Sequence, residues 1–311
     1  MEYKVYQLAF RSAVHFGRQN LEDGEYTFCA DTLFSALCQE AMQRGADVFD
    51  SFYQYVKNGV LLFSDAFPYI GKTYYLPKPM KRIETAQNRG DSKIKKAYKK
   101  LKYIPMEQIG IYLAGNYDVI GAQDEGMDRL GYFEMKTAAS IRGEEETKPY
   151  RIGTYYYHAG NGLYIIVGYQ QQEAATLLEE LLMSLSFSGI GGKRAAGLGR
   201  FELRTGALLD GFCDRLTKEG RQYMSLSISL PREEELESAL DKAEYLLCKR
   251  SGFVASSQYA PEQMRKRDLY AFQAGSCFVN RYQGDIYDVS DKKGRHPVYR
   301  YAKPMFMEVD A

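Results

Sequence analysis

The stretch Ser188-Gly189-Ile190-Gly191-Gly192-Lys193-Arg194-Ala195-Ala196-Gly197-Leu198-Gly199-Arg200 governs how the rest of the chain is read. Five glycines stand in the eleven residues 189–199. Glycine alone tolerates left-handed backbone and lets the chain approach a ligand closely, so the run predicts a nest of outward N–H groups suited to an anion. Lys193, Arg194 and Arg200 add mobile and bidentate phosphate donors. Upstream, Leu177, Leu178, Leu181, Leu182 and Leu185 recur at helical spacing. Downstream, Arg200-Phe201-Glu202-Leu203-Arg204 alternates as a strand. The order is therefore helix, loop, strand. A nucleotide-hydrolase P-loop needs the reverse polarity and a Ser or Thr after its Lys, whereas Arg194 follows Lys193. A dinucleotide-binding fingerprint fails on the same polarity.

Toward the N-terminus, residues 3–10 alternate as a strand, and a polar loop runs through His15 to Gly24. Asp31 stands where a helix N-cap belongs. Leu33, Phe34, Leu37, Cys38 and Ala41 follow with helical spacing, and Gly45 ends the run. Residues 60–63 form a short strand and 163–167 a buried one. The order β-α-β-β-α-β is the ferredoxin-like arrangement that RRM-type modules also use. The predicted fold class is thus α+β, with two ferredoxin-like domains. The first spans 1–206 and carries the glycine loop and an insertion at about 69–160, where Pro77, Pro79, Pro105, a basic run and Glu144-Glu145-Glu146 break any long periodicity. The second, more degenerate, spans 207–311 on the strand-like segments 223–230, 244–248, 269–274 and 298–301.

Composition bounds what the chain does. At 311 residues, 45% hydrophobic and 26% charged, it reads as an ordinary globular protein. No apolar run approaches the ~20 residues of a membrane span, and the first residues lack a secretory signal, so a cytoplasmic location is expected. Five scattered cysteines show no Cys-x-x-Cys pair and read as buried apolar filler. The three histidines have no ligand partners at metal spacing, so neither a metal nor another cofactor is expected. Asp285, Asp288 and Asp291 lack the glycine and the twelfth acid of a calcium loop and read as turn residues.

Net charge is only +1, so a nucleic-acid signal must be local. Residues 78–102 carry ten Lys/Arg, among them Lys78, Lys81 and Arg82, against Glu84 and Asp91. With 27 tyrosines and no tryptophan, many tyrosines lie beside basic residues, a combination suited to single-stranded RNA. The run is open to three readings: guide contact, a face for an acidic partner, or a solvated surface. In Tyr155-Tyr156-Tyr157, alternation leaves at most one face free to stack on a base.

The loop Gly-Ile-Gly-Gly-Lys-Arg-x-x-Gly-x-Gly, in its helix-loop-strand setting, resembles the signature loop of the RAMP superfamily of CRISPR proteins. Six further blocks resemble the fourth Csm subunit of type III-A effectors: His15-Phe16-Gly17, Asp31-Thr32-Leu33-Phe34-Ser35-Ala36-Leu37, Ser64-Asp65-Ala66-Phe67-Pro68-Tyr69, Leu76-Pro77-Lys78-Pro79, Lys249-Arg250-Ser251-Gly252-Phe253 and Gly275-Ser276-Cys277-Phe278. The resemblance implies a non-catalytic subunit that holds the repeat-derived 5′ tag of the CRISPR RNA (crRNA). It implies contacts with the large cyclase/polymerase-like subunit and the first repeated backbone subunit, and a thumb hairpin from the insertion that kinks the guide. Ala195-Ala196 departs from the loop's usual serine, which removes one phosphate contact and spares the nest.

The residues assigned to RNA on these grounds are His15, Gly17, Arg18, Lys78, Lys81, Arg82, Arg142, Arg151, Gly189, Gly191, Gly192, Lys193, Arg194, Gly197, Gly199, Arg200, Lys249 and Arg250. Arg142 and Arg151 either line the thumb or pair with Glu144–Glu146 on a surface loop. His15 has three readings: RNA contact or loop architecture, a plain structural residue, or the general base of a metal-independent RAMP endoribonuclease that processes CRISPR RNA. The last is the rival function. Against it, no Tyr-Lys pair or second histidine adjoins His15 in sequence, and more than a hundred residues follow Gly199.

Overall fold

The computed structural model describes the chain except residues 18–19, 84–91, 122–125, 141–147, 208–210, 257 and 311. Strand β1 (Glu2–Phe10) is followed by the short strands β2 (Phe16–Gly17) and β3 (Gly24–Glu25), then by helices α1 (Ala30–Arg44) and α2 (Ala46–Lys57). Next come β4 (Leu61–Phe63), β5 (Phe67–Ile70), β6 (Thr73–Pro77), α3 (Ser92–Lys100), β7 (Tyr103–Pro105) and α4 (Ile109–Leu113). A long hairpin, β8 (Gly131–Ser140) and β9 (Lys148–Tyr157), precedes β10 (Asn161–Tyr169), α5 (Gln172–Ser188) and β11 (Phe201–Gly206). The glycine loop thus joins helix to strand, as its flanking periodicities predict.

These strands build one antiparallel sheet in the order β11-β1-β10-β5-β6-β7, with β4 also on β10. Strand β10 shows why. Its side chains alternate between two cores: Leu163, Ile165 and Val167 pack under Leu33, Phe34 and Leu37 of α1 and Leu178, Leu181 and Leu182 of α5, while Tyr164 and Ile166 point the other way. A strand covered on both faces is apolar throughout, which is how 163–167 reads. Residues 69–160 divide in two: β6 and β7 extend the main sheet, and β8–β9 leaves it as a separate ten-pair hairpin. The basic run, where described, ends in an amphipathic helix. Ala97 of α3 is buried, Ile94 and Tyr98 are half-buried, and Lys93, Lys95, Lys96, Lys99 and Lys100 are exposed.

The C-terminal half has α6 (Phe212–Thr217), β12 (Tyr223–Ser225), α7 (Leu236–Leu240), β13 (Leu247–Arg250), β14 (Leu269–Phe272), β15 (Cys277–Phe278), β16 (Asp285–Asp288), β17 (Tyr299–Ala302) and β18 (Phe306–Glu308). The described residues form a three-stranded sheet β15-β12-β18 and two hairpins, β13–β14 and β16–β17. Met224, Leu226, Met305, Met307 and Val309 cover the far face of the main sheet. Tyr301 reaches the helical side, 5.9 Å from the Phe34 ring. Both cores are therefore shared between the two halves of the chain. Ser225, Ser227 and Ser229 are buried because each hydroxyl finds a partner, on Ser227 O, Lys303 O and the Tyr282 hydroxyl.

Two expectations need correction. Asp31 is not the N-cap of α1, because the cap position is Cys29 and its side chain makes no capping bond. The cap comes from Asp65 in the β4–β5 connection, whose Oδ1 accepts the N–H of Ala30 at 2.8 Å and that of Ile228 at 2.9 Å. Residues distant in sequence thus do what a local cap would do, and they tie the C-terminal half to α1 at the same point. Among the cysteines, Cys213 is exposed and so is not core filler, whereas Cys277 is fully buried. Asp288 and Asp291 do act as turn residues, accepting the N–H groups of Ser290 and Lys293.

Burial of Asp65, beside the like charge of Asp31, pushes its carboxyl from 3.8 up to about 7. Between those values the folded chain binds a proton that the unfolded chain has lost, so this group's contribution to stability falls as pH rises from about 4 to 7. Asp65→Asn keeps an oxygen for both N–H groups and removes the charge. Paired thermal melts at pH 5 and pH 7.5 will show the wild type losing ground to the variant at the higher pH. Asp65→Ala abandons two buried N–H groups and will destabilise at both, by about 1–3 kcal/mol for each.

Candidate nucleic-acid interface

Where the halves meet, a cleft of about 850 Å³ opens along the side of α1. Thr32, Ser35 and Gln39, a half-buried polar edge of that helix, line it. The glycine loop contributes Gly191, Gly192 and Arg194, and the chain around α3 contributes Lys78, Lys99 and Lys102. From the C-terminal half come Lys249 and Arg250 of β13, Lys266, and Arg300 of β17. Against these eight cations stand the carboxylates of Glu25, Asp31 and Asp65. Asp65 is near half-protonated at neutral pH. Asp31 is committed to two arginines: Arg250 reaches it through Nε at 2.9 Å and a terminal nitrogen at 2.7 Å, and Arg300 at 2.7 Å. Burial alone would raise the Asp31 carboxyl, but these guanidiniums hold it below its usual value. The cleft is therefore strongly positive and bordered by the aromatic rings of Phe16, Tyr103, Phe253 and Tyr299.

The glycine loop works differently from the expected open nest. The N–H of Gly189 goes to Leu185 O, that of Ile190 to Gly199 O, that of Gly192 to His15 O and that of Gly199 to Ala13 O. Those donors serve the loop's own fold. The glycines are required mainly by close packing and by backbone sign. Gly191 has φ 99°, and a Cβ there would meet His15 O at 2.8 Å; at Gly199, with φ 78°, it would meet Ile190 O at 2.0 Å. Gly197, at φ 82°, faces open space. Lys193 itself is left-handed, at φ 59°, and its Nζ lies 4.6 Å from the centre of the Tyr150 ring on β9. Arg194 is steadied by a 2.5 Å hydrogen bond to Gln39 Oε1.

His15 is 5% exposed, with Nδ1 2.7 Å from Gly153 O on β9. It joins three elements, since its carbonyl accepts Gly192 N–H and its ring lies where side chains on Gly17 or Gly192 would be. Lys78 donates to Tyr98 O, and burial lowers its pKa. Lys81 donates to Val309 O, and the Arg82 N–H goes to Glu244; neither residue lines the cleft. Lys249 pairs with Asp268 at 2.7 Å. Gly189 and Gly199 are buried in the loop's base, and Arg200 is exposed, its N–H on Ser12 Oγ. Arg151 is exposed on β9, opposite Thr137. Arg18 and Arg142 lie outside the described residues. On the hairpin Tyr155 is buried, while Tyr132 and Tyr156 stack at 5.3 Å with Lys136 over the Tyr156 ring. Sequence reasoning missed Lys266, Arg300 and Gln39. No motif marks them, and only the meeting of the two halves brings them to the cleft.

Known proteins give this architecture a context. Residues 218–309 match the family model of the CRISPR Csm4 C-terminal domain. The chain is 37% identical over 310 residues to the CRISPR system Cms protein Csm4 of Mycobacterium tuberculosis (strain H37Rv), covering 99% of this chain and 98% of that one. It is 34% identical over 321 residues to the protein of the same name from Streptococcus thermophilus, covering both in full. Its fold is similar to a crystal structure of a Csm3-Csm4 subcomplex in the type III-A CRISPR-Cas interference complex, with TM-score 0.67, 17% identity and 98% of each chain covered. It is also similar to a crystal structure of a Csm1-Csm4 cassette in complex with cA4, with TM-score 0.61, 16% identity and 99% and 98% covered. The chain is thus a CRISPR protein of the type III-A effector class. It belongs to the Csm4 family.

The loop's geometry separates two glycines of equal appearance. Gly191→Val meets both an unfavourable backbone sign and the His15 carbonyl, so it will lower the melting temperature sharply. Gly197→Val carries only the backbone strain, of order 1–3 kcal/mol. Melting curves of both variants check the ranking; equal losses would contradict it.

Proposed function

We propose that this chain is a non-catalytic crRNA-binding subunit of a type III-A CRISPR ribonucleoprotein in antiviral and anti-plasmid defence, acting in the cytoplasm. It holds the 5′ tag of the guide in the cleft along α1 and docks the large cyclase/polymerase-like subunit and the first repeated backbone subunit. The observation that carries this reading is the cleft itself, where eight Lys/Arg from both halves converge on a polar helix edge rimmed by aromatic rings. Phosphates need cations and unpaired bases need flat faces, and both are present at one site. Docking is supported by the solved relatives, in which Csm4 is found with Csm3 and with Csm1.

Residues 1–206 are read as a ferredoxin-like RAMP domain. Its first, second, third and fourth strands, β1, β4/β5, β10 and β11, lie in the order fourth-first-third-second under α1 and α5. Residues 207–311 are read as the degenerate second unit, and β8–β9 as the thumb. A non-catalytic role is favoured over His15-dependent cleavage by the burial of that ring, which is 5% exposed. The imidazole positions the glycine loop against the hairpin.

Replacing Lys95, Lys96, Lys99 and Lys100 of α3 together by Glu tests the RNA reading on exposed side chains. RNA affinity will fall, the log–log salt slope will flatten by about 0.7 for each single-strand phosphate no longer neutralised, and the melting temperature will hold. Unchanged RNA affinity with failed capture of the large subunit would make this face a protein contact. No change in either would make it solvated surface. The wild type incubated with repeat RNA will leave it intact; discrete cleavage abolished by His15→Ala would establish the nuclease instead.

A further inference from the structure

Asp31 and Gln39 are eight residues apart on α1, about 12 Å along the helix axis. Gln39 holds Arg194 at the glycine-loop end of the cleft. Around Asp31, at the other end, the charges do not balance. Arg250 and Arg300 share its one carboxylate, and Lys266 lies beside them in the cleft wall without an ion pair among the described residues. The neighbouring thiols supply no hidden anion: burial raises Cys29 and Cys38 well above neutrality and Cys248 to about 11. Asp65 is close to half-neutral. Arg300 is 5% exposed, and its buried Nε has no hydrogen-bond partner among the described residues.

A network serving only the fold would pair its buried cations, since each uncompensated one costs several kcal/mol. A half-buried surplus of positive charge on a cleft wall is the arrangement expected of a preorganised site whose missing anion is a ligand. Resting on the RNA reading above, we propose that Lys266, with Arg250 and Arg300 oriented by Asp31, forms a second phosphate-binding site. It is distinct from the glycine loop and seats a phosphate of the RNA backbone. The Thr32 hydroxyl, 3.2 Å from Arg250, lies at the same place. Burial and the adjacent Arg300 lower the Lys266 pKa, which agrees with a site short of negative charge. Asp31 acts as a positioning residue: its bidentate and single bonds fix both guanidinium planes before any ligand arrives.

Lys266→Met in the full chain tests the site, because it keeps the apolar stem and removes only the charge. The free protein will melt at the wild-type temperature or higher. Single-stranded RNA will bind about tenfold more weakly, with a log–log salt slope shallower by about 0.7. Adenosine monophosphate, titrated in parallel, identifies the phosphate's source: its binding abolished in the variant while RNA is unaffected would assign the site to a free nucleotide. A lower melting temperature would make Lys266 a structural cation, and wild-type behaviour with both RNA and the mononucleotide would remove the site; either result overturns the proposal. If the wild type binds no RNA at all, the RNA reading fails, and the mononucleotide arm still decides whether the phosphate site exists.

Discussion

Two buried carboxylates at the start of α1 hold this molecule together. Asp65 accepts the first N–H of the helix and the N–H of Ile228, and Asp31 gathers Arg250 and Arg300. One end of one helix is thereby fastened to three separate segments of the C-terminal half. Two like charges so close would repel if both were ionised. The structure resolves this by environment, with two arginines keeping Asp31 charged and burial raising the Asp65 carboxyl to about 7. With this point fixed, β13 and β17 can lie only along the side of α1, and the cleft follows.

The same constraint bears on what the cleft does. Its cations come from segments as distant in sequence as Lys78 and Arg300, so neither half presents the surface alone. At one end the glycine loop is held by His15 and Gln39, and at the other the arginines are held by Asp31. Fixed charges at both ends of a polar helix edge suit a ligand whose charges are themselves regularly spaced. Preorganisation of this kind lowers the ordering cost that an extended RNA imposes on its binder.

The main sheet was legible in the sequence because its signals are local. The alternation in 3–10, the apolar run 163–167, the leucine stripe of α5 and the terminating Gly45 each report their own element. The C-terminal half was less legible, since its strands are short and gain stability by covering a sheet made elsewhere. The site divides the same way. Composition marked the glycine loop and the basic run, and the resemblance marked His15 and Arg250. However, composition could not show that the N–H groups of Gly189, Ile190, Gly192 and Gly199 are spent on the loop's own fold, nor that Asp31 would serve distant arginines and leave its capping position to Asp65. Lys266 and Arg300 carry no motif and become site residues only through tertiary contact.

Whether RNA lies in the cleft between the halves is tested best by photo-crosslinking with peptide mapping. Single-stranded RNA irradiated with the full-length wild-type protein should crosslink to peptides carrying Phe16, Tyr103, Phe253 and Tyr299, the rings bordering the cleft. These come from both halves, so label in all four regions would place the RNA between them. Crosslinks confined to one half, or to the groove beside α6 lined by Asp214, Lys218 and Asp310, would show that the RNA binds elsewhere.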